Sequence, residues 1–338
     1  MTSNFAPVRV DVVIPTFNRR DLVVGAVRSV LGQTHSDLRC IVVDDGSTDG
    51  TCRALSDLGD QRLVVRSTGG NLGASNARNL GISCAKGAPW VAFLDSDDLW
   101  APDKLERELA ALAAVPGARW AATACANVSG ELEVRAAVRL FGNSSPSEQM
   151  TGAQPGELLA LLRDENWIPA GCSTVMVSSD LLSEVGGFAE ELATNEDWDL
   201  WIRLAKRSCL AYVDAPLVAC RIWEGQTSNN WKAFVKSAAD VRSRHFPGTN
   251  PEPREYLARW HQECARRSVA SGHRLSAAIA YLSAAWSGRA PGQLLYAAAA
   301  ATSPGLAERR LRRIESGRTI PPGWSAEVEA WLGPLRPS

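Results

Sequence analysis

The chain has 338 residues, 45% hydrophobic and 22% charged, which is enough apolar material for one large core or two smaller ones. Its formal net charge of -1 excludes a global basic field of the kind that recruits nucleic acid or an anionic membrane, so any anionic ligand has to be held by local groups. The eight cysteines are scattered, with no C-x-x-C pair, which argues against a disulfide framework and for a reducing compartment.

The first residues lack a basic segment followed by a long apolar run, and no window approaches the length of a membrane span. The expectation is a cytoplasmic protein, with peripheral contact at the inner face of a membrane left open. Up to about Ala114, short β-branched runs alternate with amphipathic segments. Strands are expected at Val10–Ile14, Cys40–Val43, Leu63–Val65 and Trp90–Leu94, and helices at Asp21–Leu31, Thr48–Leu58, Ala74–Ala85 and Pro102–Ala113. Four such units predict an α/β architecture with a mostly parallel central sheet flanked by helices. Ligands of such sheets bind beyond the carboxyl ends of the strands. The polar motifs fall at those ends: Pro15-Thr16-Phe17-Asn18, Asp44-Asp45-Gly46-Ser47 and Asp95-Ser96-Asp97-Asp98.

From Arg119 to Arg221 the pattern is mixed. Strands are expected at Trp120–Cys125, Val134–Leu140, Thr174–Val177 and Leu217–Cys220, and helices near Pro155–Arg163 and Asp197–Lys206. This half extends the sheet and covers the crevice. Beyond Gln226 the chain reads as helical, at Trp231–Arg244, Arg254–Ser271, Arg274–Ser287, Gln293–Ala301, Leu306–Ser316 and Ala326–Trp331, with Pro and Gly clusters between.

Three carboxylates at the end of the Trp90–Leu94 run repel one another unless a cation sits among them, and hard oxygen ligands suit Mn²⁺ or Mg²⁺ bridging a diphosphate. The same acids also fit a capping or solvated turn. Asp44 and Asp45 can accept hydrogen bonds from a uracil imide or a ribose hydroxyl, while Gly46 permits the turn and Ser47 or Thr48 caps the next helix. The four histidines, His35, His245, His261 and His273, show no zinc spacing. Neither a P-loop nor a G-x-S-x-G elbow is present.

In order and at natural spacing, the chain carries Val13-Ile14-Pro15-Thr16-Phe17-Asn18-Arg19, S-x-x-x-Q-T at Ser29 to Thr34, VVDDGSTD at Val42 to Asp49, N-x-G-x-x-x-A-R-N-x-G at Asn71 to Gly81, and FLDSDDLWxPDKL at Phe93 to Leu105. From about Val10 to Ser228 it resembles the inverting family 2 glycosyltransferases of the glycosyltransferase A fold. The resemblance implies a catalytic domain over 1–228, with a nucleotide-binding half at 1–114 and an acceptor-binding half at 115–228, followed by a helical region at 229–338. It implies transfer of a sugar from a nucleotide-diphosphate sugar, UDP-sugars favoured, to a hydroxyl of a glycan, lipid-linked sugar or small molecule.

Residue by residue, the resemblance makes Pro15, Thr16, Asn18, Asp44, Arg78 and Asp95 donor-binding. Asp95 and Asp97 match its D-x-D signature, with Asp98 as a further metal ligand. Asn195-Glu196-Asp197-Trp198 resembles its E-D motif, which implies Asp197 as the general base and Glu196 and Trp198 at the acceptor. Many relatives carry a His where this chain has Trp223, and indole cannot ligate a divalent ion, so the second protein ligand is left open. Two rival readings are a sugar-phosphate nucleotidyltransferase, identified by diphosphate release, and a non-catalytic nucleotide-sugar-binding scaffold.

Overall fold

The computed structural model describes residues 8–138, 155–163, 166–222, 231–248, 274–288 and 323–336, with 261, 294, 297 and 298 singly. Strand β1 (Val10–Thr16) is buried along its whole length, as an inner strand of a parallel sheet covered on both faces is, and its one charged residue, Asp11, is paired with Arg39. It pairs in parallel with β2 (Leu38–Asp44) on one side and β4 (Trp90–Phe93) on the other, and β2 pairs in parallel with β3 (Leu63–Ser67). Helices α1 (Arg20–Leu31), α2 (Thr51–Ser56) and α3 (Ala74–Cys84) make the crossovers, and α4 (Lys104–Ala114) follows a two-residue strand, β5 (Leu99–Trp100).

The second half departs from parallel pairing. Strand β8 (Val175–Ser178) runs antiparallel to β4 and to the long β6 (Ala118–Val128), and β7 (Val134–Val138) is antiparallel to β6. Strand β9 (Cys209–Arg221) returns parallel to β6 and pairs antiparallel with β5. The order is β3-β2-β1-β4-β8-β6-β9-β5, so the expected mostly parallel sheet is parallel from β3 to β4 and mixed beyond β4. Helices α5 (Pro155–Leu162), α6 (Ser179–Val185) and α7 (Glu196–Ala205) belong to this half. Gly186, at φ 83°, closes α6 as a left-handed C-cap, which Cβ-bearing residues adopt reluctantly.

The core of this half-parallel layer joins Val12, Ile14, Val27, Val42, Leu94 and Trp100. Helix α3 lies so close to β1 that a Cβ at Gly81 would come within 2.3 Å of Val13 Cγ1, which explains the last glycine of the Asn71 to Gly81 motif. Lys104 and Glu108 are both fully buried, paired at 2.7 Å, with the ammonium 4.1 Å from the Trp100 ring centroid. Burial pushes the Glu108 carboxyl up to about 7 against the opposing pull of Lys104, and lowers Lys104, so desolvation outweighs their mutual attraction. Lys104→Met is expected to cost about 3–5 kcal/mol, and Lys104→Met with Glu108→Leu to recover most of it. Denaturant midpoints of the two variants check this.

The chain divides into two compact units. One comprises Met1–Leu192, Glu196–Arg221 and Ile320–Ser338, the other Ala193–Asn195 and Ile222–Thr319. The second contains α8 (Trp231–His245) and α9 (Arg274–Gly288). The last helix, α10 (Trp324–Leu332), groups with the first unit rather than with the helical region expected over 229–338. Its Val328 and Leu332 pack against Leu99, Ala126, Val128 and Ala219 of the sheet. Helices expected at 254–271 and 306–316, most of 293–301, and Trp223 lie outside the described residues. Among the described residues no helix is long and apolar enough to cross a membrane.

Candidate active site

The parallel half brings the ends of β1, β2 and β4 to one crevice, where β1 lies between β2 and β4 and the strand order reverses. Thr16 stands opposite Asp44 in register, and Pro15 opposite Val43. Thr16 is 3% exposed and its hydroxyl has no hydrogen-bond partner among the described residues, a buried orphan of the kind that a ligand satisfies. The Asp44 carboxylate accepts from the Ser47 amide at 3.3 and 3.2 Å and from the Cys52 thiol at 3.2 Å.

Asn18 adopts φ 50°, a left-handed turn that asparagine tolerates. Its amide donates to Ser47 Oγ at 2.8 Å and its side-chain oxygen accepts from the Thr48 amide at 2.8 Å. Asn18 therefore braces the β1–α1 loop against the β2–α2 loop. Asp45 has a different task from Asp44. It accepts from the Thr68 hydroxyl at 2.7 Å and from the Leu72 and Gly73 amides at 2.9 and 2.7 Å, organising the loop that leads into α3.

The three acids after β4 diverge. Asp95 accepts from Arg78 Nη2 at 2.7 Å, and Asp97 pairs with Arg19 Nη1 at 2.9 Å. Asp98 points inward. It is 3% exposed, with Oδ2 accepting from the Ser173 hydroxyl at 2.6 Å and Oδ1 from the Arg221 amide at 3.0 Å. Burial, then the charges of Asp97 and Asp95, holds its carboxyl well above the usual range. Both of its oxygens are engaged by donors of the protein.

Among the described residues no group of three or more His, Cys, Asp or Glu forms a metal cage. Asp95 and Asp97, at the D-x-D spacing, are each paired with an arginine, Arg78 and Arg19 respectively.

On the opposite wall, α7 begins at Glu196. Arg78 spans the crevice: Nη1 donates to Glu196 Oε1 at 2.8 Å while Nη2 holds Asp95, and its guanidinium lies 5.3 Å from the Phe188 ring centroid. The Arg78 side chain is 6% exposed, so the arginine expected to bind donor is a clamp between the two acidic motifs. Glu196, expected at the acceptor, is the other jaw of that clamp.

Asp197 keeps partial exposure in a recess crowded by protein. That desolvation, followed by the charge of Glu196, raises its pKa to about 7, with the Trp198 amide, Arg78 and Asn166 opposing. The Trp198 amide donates to Oδ1 at 2.7 Å, and the Asn166 side chain donates to Oδ2 at 2.9 Å. Trp198 itself is corrected from acceptor contact to core. It is fully buried with its indole N–H on the Leu162 carbonyl at 2.8 Å, which leaves no face for a sugar. Trp201 is likewise buried, stacked on Trp120 at 5.9 Å.

Three residues at this crevice carried no assigned role in the sequence. Arg19 lies inside the first motif, and Ser173 inside the stretch before α6, so proximity in sequence was a usable signal for both. Asn166 has none, since it is 31 residues from Asp197 and fits no periodic pattern.

The family described as Glycosyl transferase family 2 matches residues 11–136. A putative teichuronic acid biosynthesis glycosyltransferase, TuaG of Bacillus subtilis, is 31% identical over 256 residues, 72% of this chain and 92% of that protein. The UDP-Glc:alpha-D-GlcNAc-diphosphoundecaprenol beta-1,3-glucosyltransferase WfgD of Escherichia coli is 26% identical over 237 residues, 69% of this chain and 84% of that protein. Among solved structures, S. aureus TarS 1-349 in complex with UDP-GlcNAc superposes with a TM-score of 0.58 at 17% identity, over 92% of this chain and 93% of that one, which shows the shared fold. With motifs, sheet and crevice in agreement with these similarities, the chain belongs to glycosyl transferase family 2.

Proposed function

We propose that this chain transfers a hexose from a UDP-sugar to a hydroxyl of a glycan or lipid-linked sugar, in one in-line displacement with inversion. The observation that carries this reading is the Arg78 clamp, which fixes Asp95 of the D-x-D signature and Glu196 of the acidic pair on one buried guanidinium. The donor signature and the base are thereby held at a constant separation.

Thr16 and Asp44 line the nucleoside end, where the orphan Thr16 hydroxyl supplies a hydrogen bond and Asp44 a charge-assisted acceptor. Asp95 and Asp97 would hold Mn²⁺ or Mg²⁺, which neutralises a departing nucleoside diphosphate when bound. Asp197, raised to about 7, takes the acceptor hydroxyl's proton as that oxygen attacks the anomeric carbon. The names of WfgD and of the TarS complex support a UDP-sugar donor, and that of WfgD a diphosphoundecaprenol-linked acceptor.

Thermal stabilisation by UDP-, GDP- and dTDP-sugars, each with Mn²⁺, with Mg²⁺ and with chelator, tests the donor and the metal together. A UDP-sugar with a divalent ion is expected to raise Tm by several degrees, and chelator to remove the rise. Equal shifts with chelator would remove the metal from the reading, and a GDP- or dTDP-sugar that stabilises more would replace the donor.

A further inference from the structure

We propose that Asn166 is the positioning residue of the base, holding one oxygen of the Asp197 carboxylate so that its plane is fixed. The inference rests on Asp197 being the base. Its Oδ1 is tied to its own helix by the Trp198 amide at 2.7 Å, and Oδ2 receives the Asn166 amide at 2.9 Å. With both oxygens gripped from different directions, the carboxylate plane is fixed, as a base aligned with an attacking hydroxyl requires.

Two further features restrict the carboxylate. Gly171, at φ 52°, lies so near that a Cβ there would sit 3.1 Å from Asp197 Oδ2, so no side chain at this position intervenes between the 3₁₀ turn (Gly171–Thr174) and the base. Asn166 is itself oriented, because its Oδ1 accepts from the Ile168 amide at 3.3 Å, which leaves the NH₂ group to point at Asp197. The side chain is an amide and not an acid, and that choice has a chemical consequence. An amide donates to a carboxylate at every pH without adding charge, whereas an aspartate of the same shape would repel it.

The charged groups acting on Asp197 are Glu196 beside it and Arg78 on α3, while the Cys172 thiol of the 3₁₀ turn is held well above its usual range by burial and so stays neutral. Glu196 favours the protonated acid, and Arg78 and Asn166 favour the carboxylate. Loss of the Asn166 donor must therefore raise the Asp197 pKa, moving the loss of base function to higher pH.

The test uses the full chain labelled with ¹³C at aspartate carboxyls, the Asp197 signal being assigned as the one lost in Asp197→Asn. Its titration midpoint is expected to rise by about one pH unit in Asn166→Ala and by more in Asn166→Asp. In parallel, UDP release from UDP-glucose and from UDP-GlcNAc is followed from about pH 5 to pH 9. The rate of each variant is expected to fall near neutrality and recover at alkaline pH, with the KM for the donor unchanged. An Asp197 midpoint that does not move in either variant overturns the inference, as does a fall in rate that is uniform across pH. If Asp197→Asn releases UDP at the wild-type rate, the base assignment itself fails. If Asp197→Asn is inactive while the Asn166 variants keep the wild-type midpoint, only the role of Asn166 fails.

Discussion

Asp197→Asn is expected to lower kcat by about 10²–10⁴-fold while leaving donor-induced stabilisation intact. Asparagine fills the same recess but has no lone pair basic enough to take a proton, and the proposed donor contacts at Thr16, Asp44 and Asp95 lie on other elements. The wild-type rate has a matching pH signature. With the folded pKa raised to about 7, the rate is expected to climb about tenfold per pH unit below that value and to level above it.

Stability moves the opposite way. The unfolded carboxyl releases its proton near 3.8 and the folded one near 7, so between these values the native state binds more protons than the unfolded state and wild-type stability falls as pH rises. Asp197→Asn, which carries no such charge, is therefore expected to be more stable than wild type at pH 8 and to lose that advantage toward pH 4. Thermal unfolding across this range checks the sign. A variant that still turned over at the wild-type rate would require another base.

The second large effect is expected at Arg78. Arg78→Ala removes the shared counter-charge of Asp95 and Glu196 and leaves two carboxylates facing a buried gap, at a cost of about 3–5 kcal/mol. Activity is expected to fall by at least about a hundredfold, because the donor signature and the base lose their common anchor and the unneutralised Glu196 pushes the Asp197 pKa higher. Arg78→Lys separates folding from alignment. A single ammonium keeps the charge but cannot present two fixed donors to two carboxylates, so this variant is expected to keep most of the stability and little of the activity. Denaturant midpoints, UDP release and donor-induced thermal shifts measured on both variants decide the matter. Wild-type activity in Arg78→Lys would show that the clamp does not align the site.

Much of this was legible along the chain because it is local. The strands at β1, β2, β3 and β4 announce themselves as short β-branched runs, and their carboxyl ends carry the polar motifs by chain direction alone. The turn chemistry of Asp44 to Asp49 is equally local, since a side chain that accepts from an amide two or three residues on is set by the sequence it sits in.

What escaped the sequence is decided by contacts between distant segments. Strand β5 has two residues and exists only because β9 supplies its partner, and β9 itself runs from Cys209, well ahead of the apolar run Leu217–Cys220 that signals it. The acidic pair at α7 and the triplet after β4 name the right residue types, but not which way each side chain turns. Asp98 faces inward because Ser173 and the Arg221 amide reach it from 75 and 123 residues away, and Trp198 is core because α5 offers its indole a carbonyl.

The sequence by itself determined the family, the parallel half of the sheet and the residue types of the site, since these depend on periodicity, chain direction and short motifs. The tertiary structure decided which carboxylates remain at the crevice, that Arg78 is a clamp, and that Asn166 meets Asp197, because the orientation of a side chain is set by the packing and hydrogen-bond partners that folding brings from elsewhere in the chain.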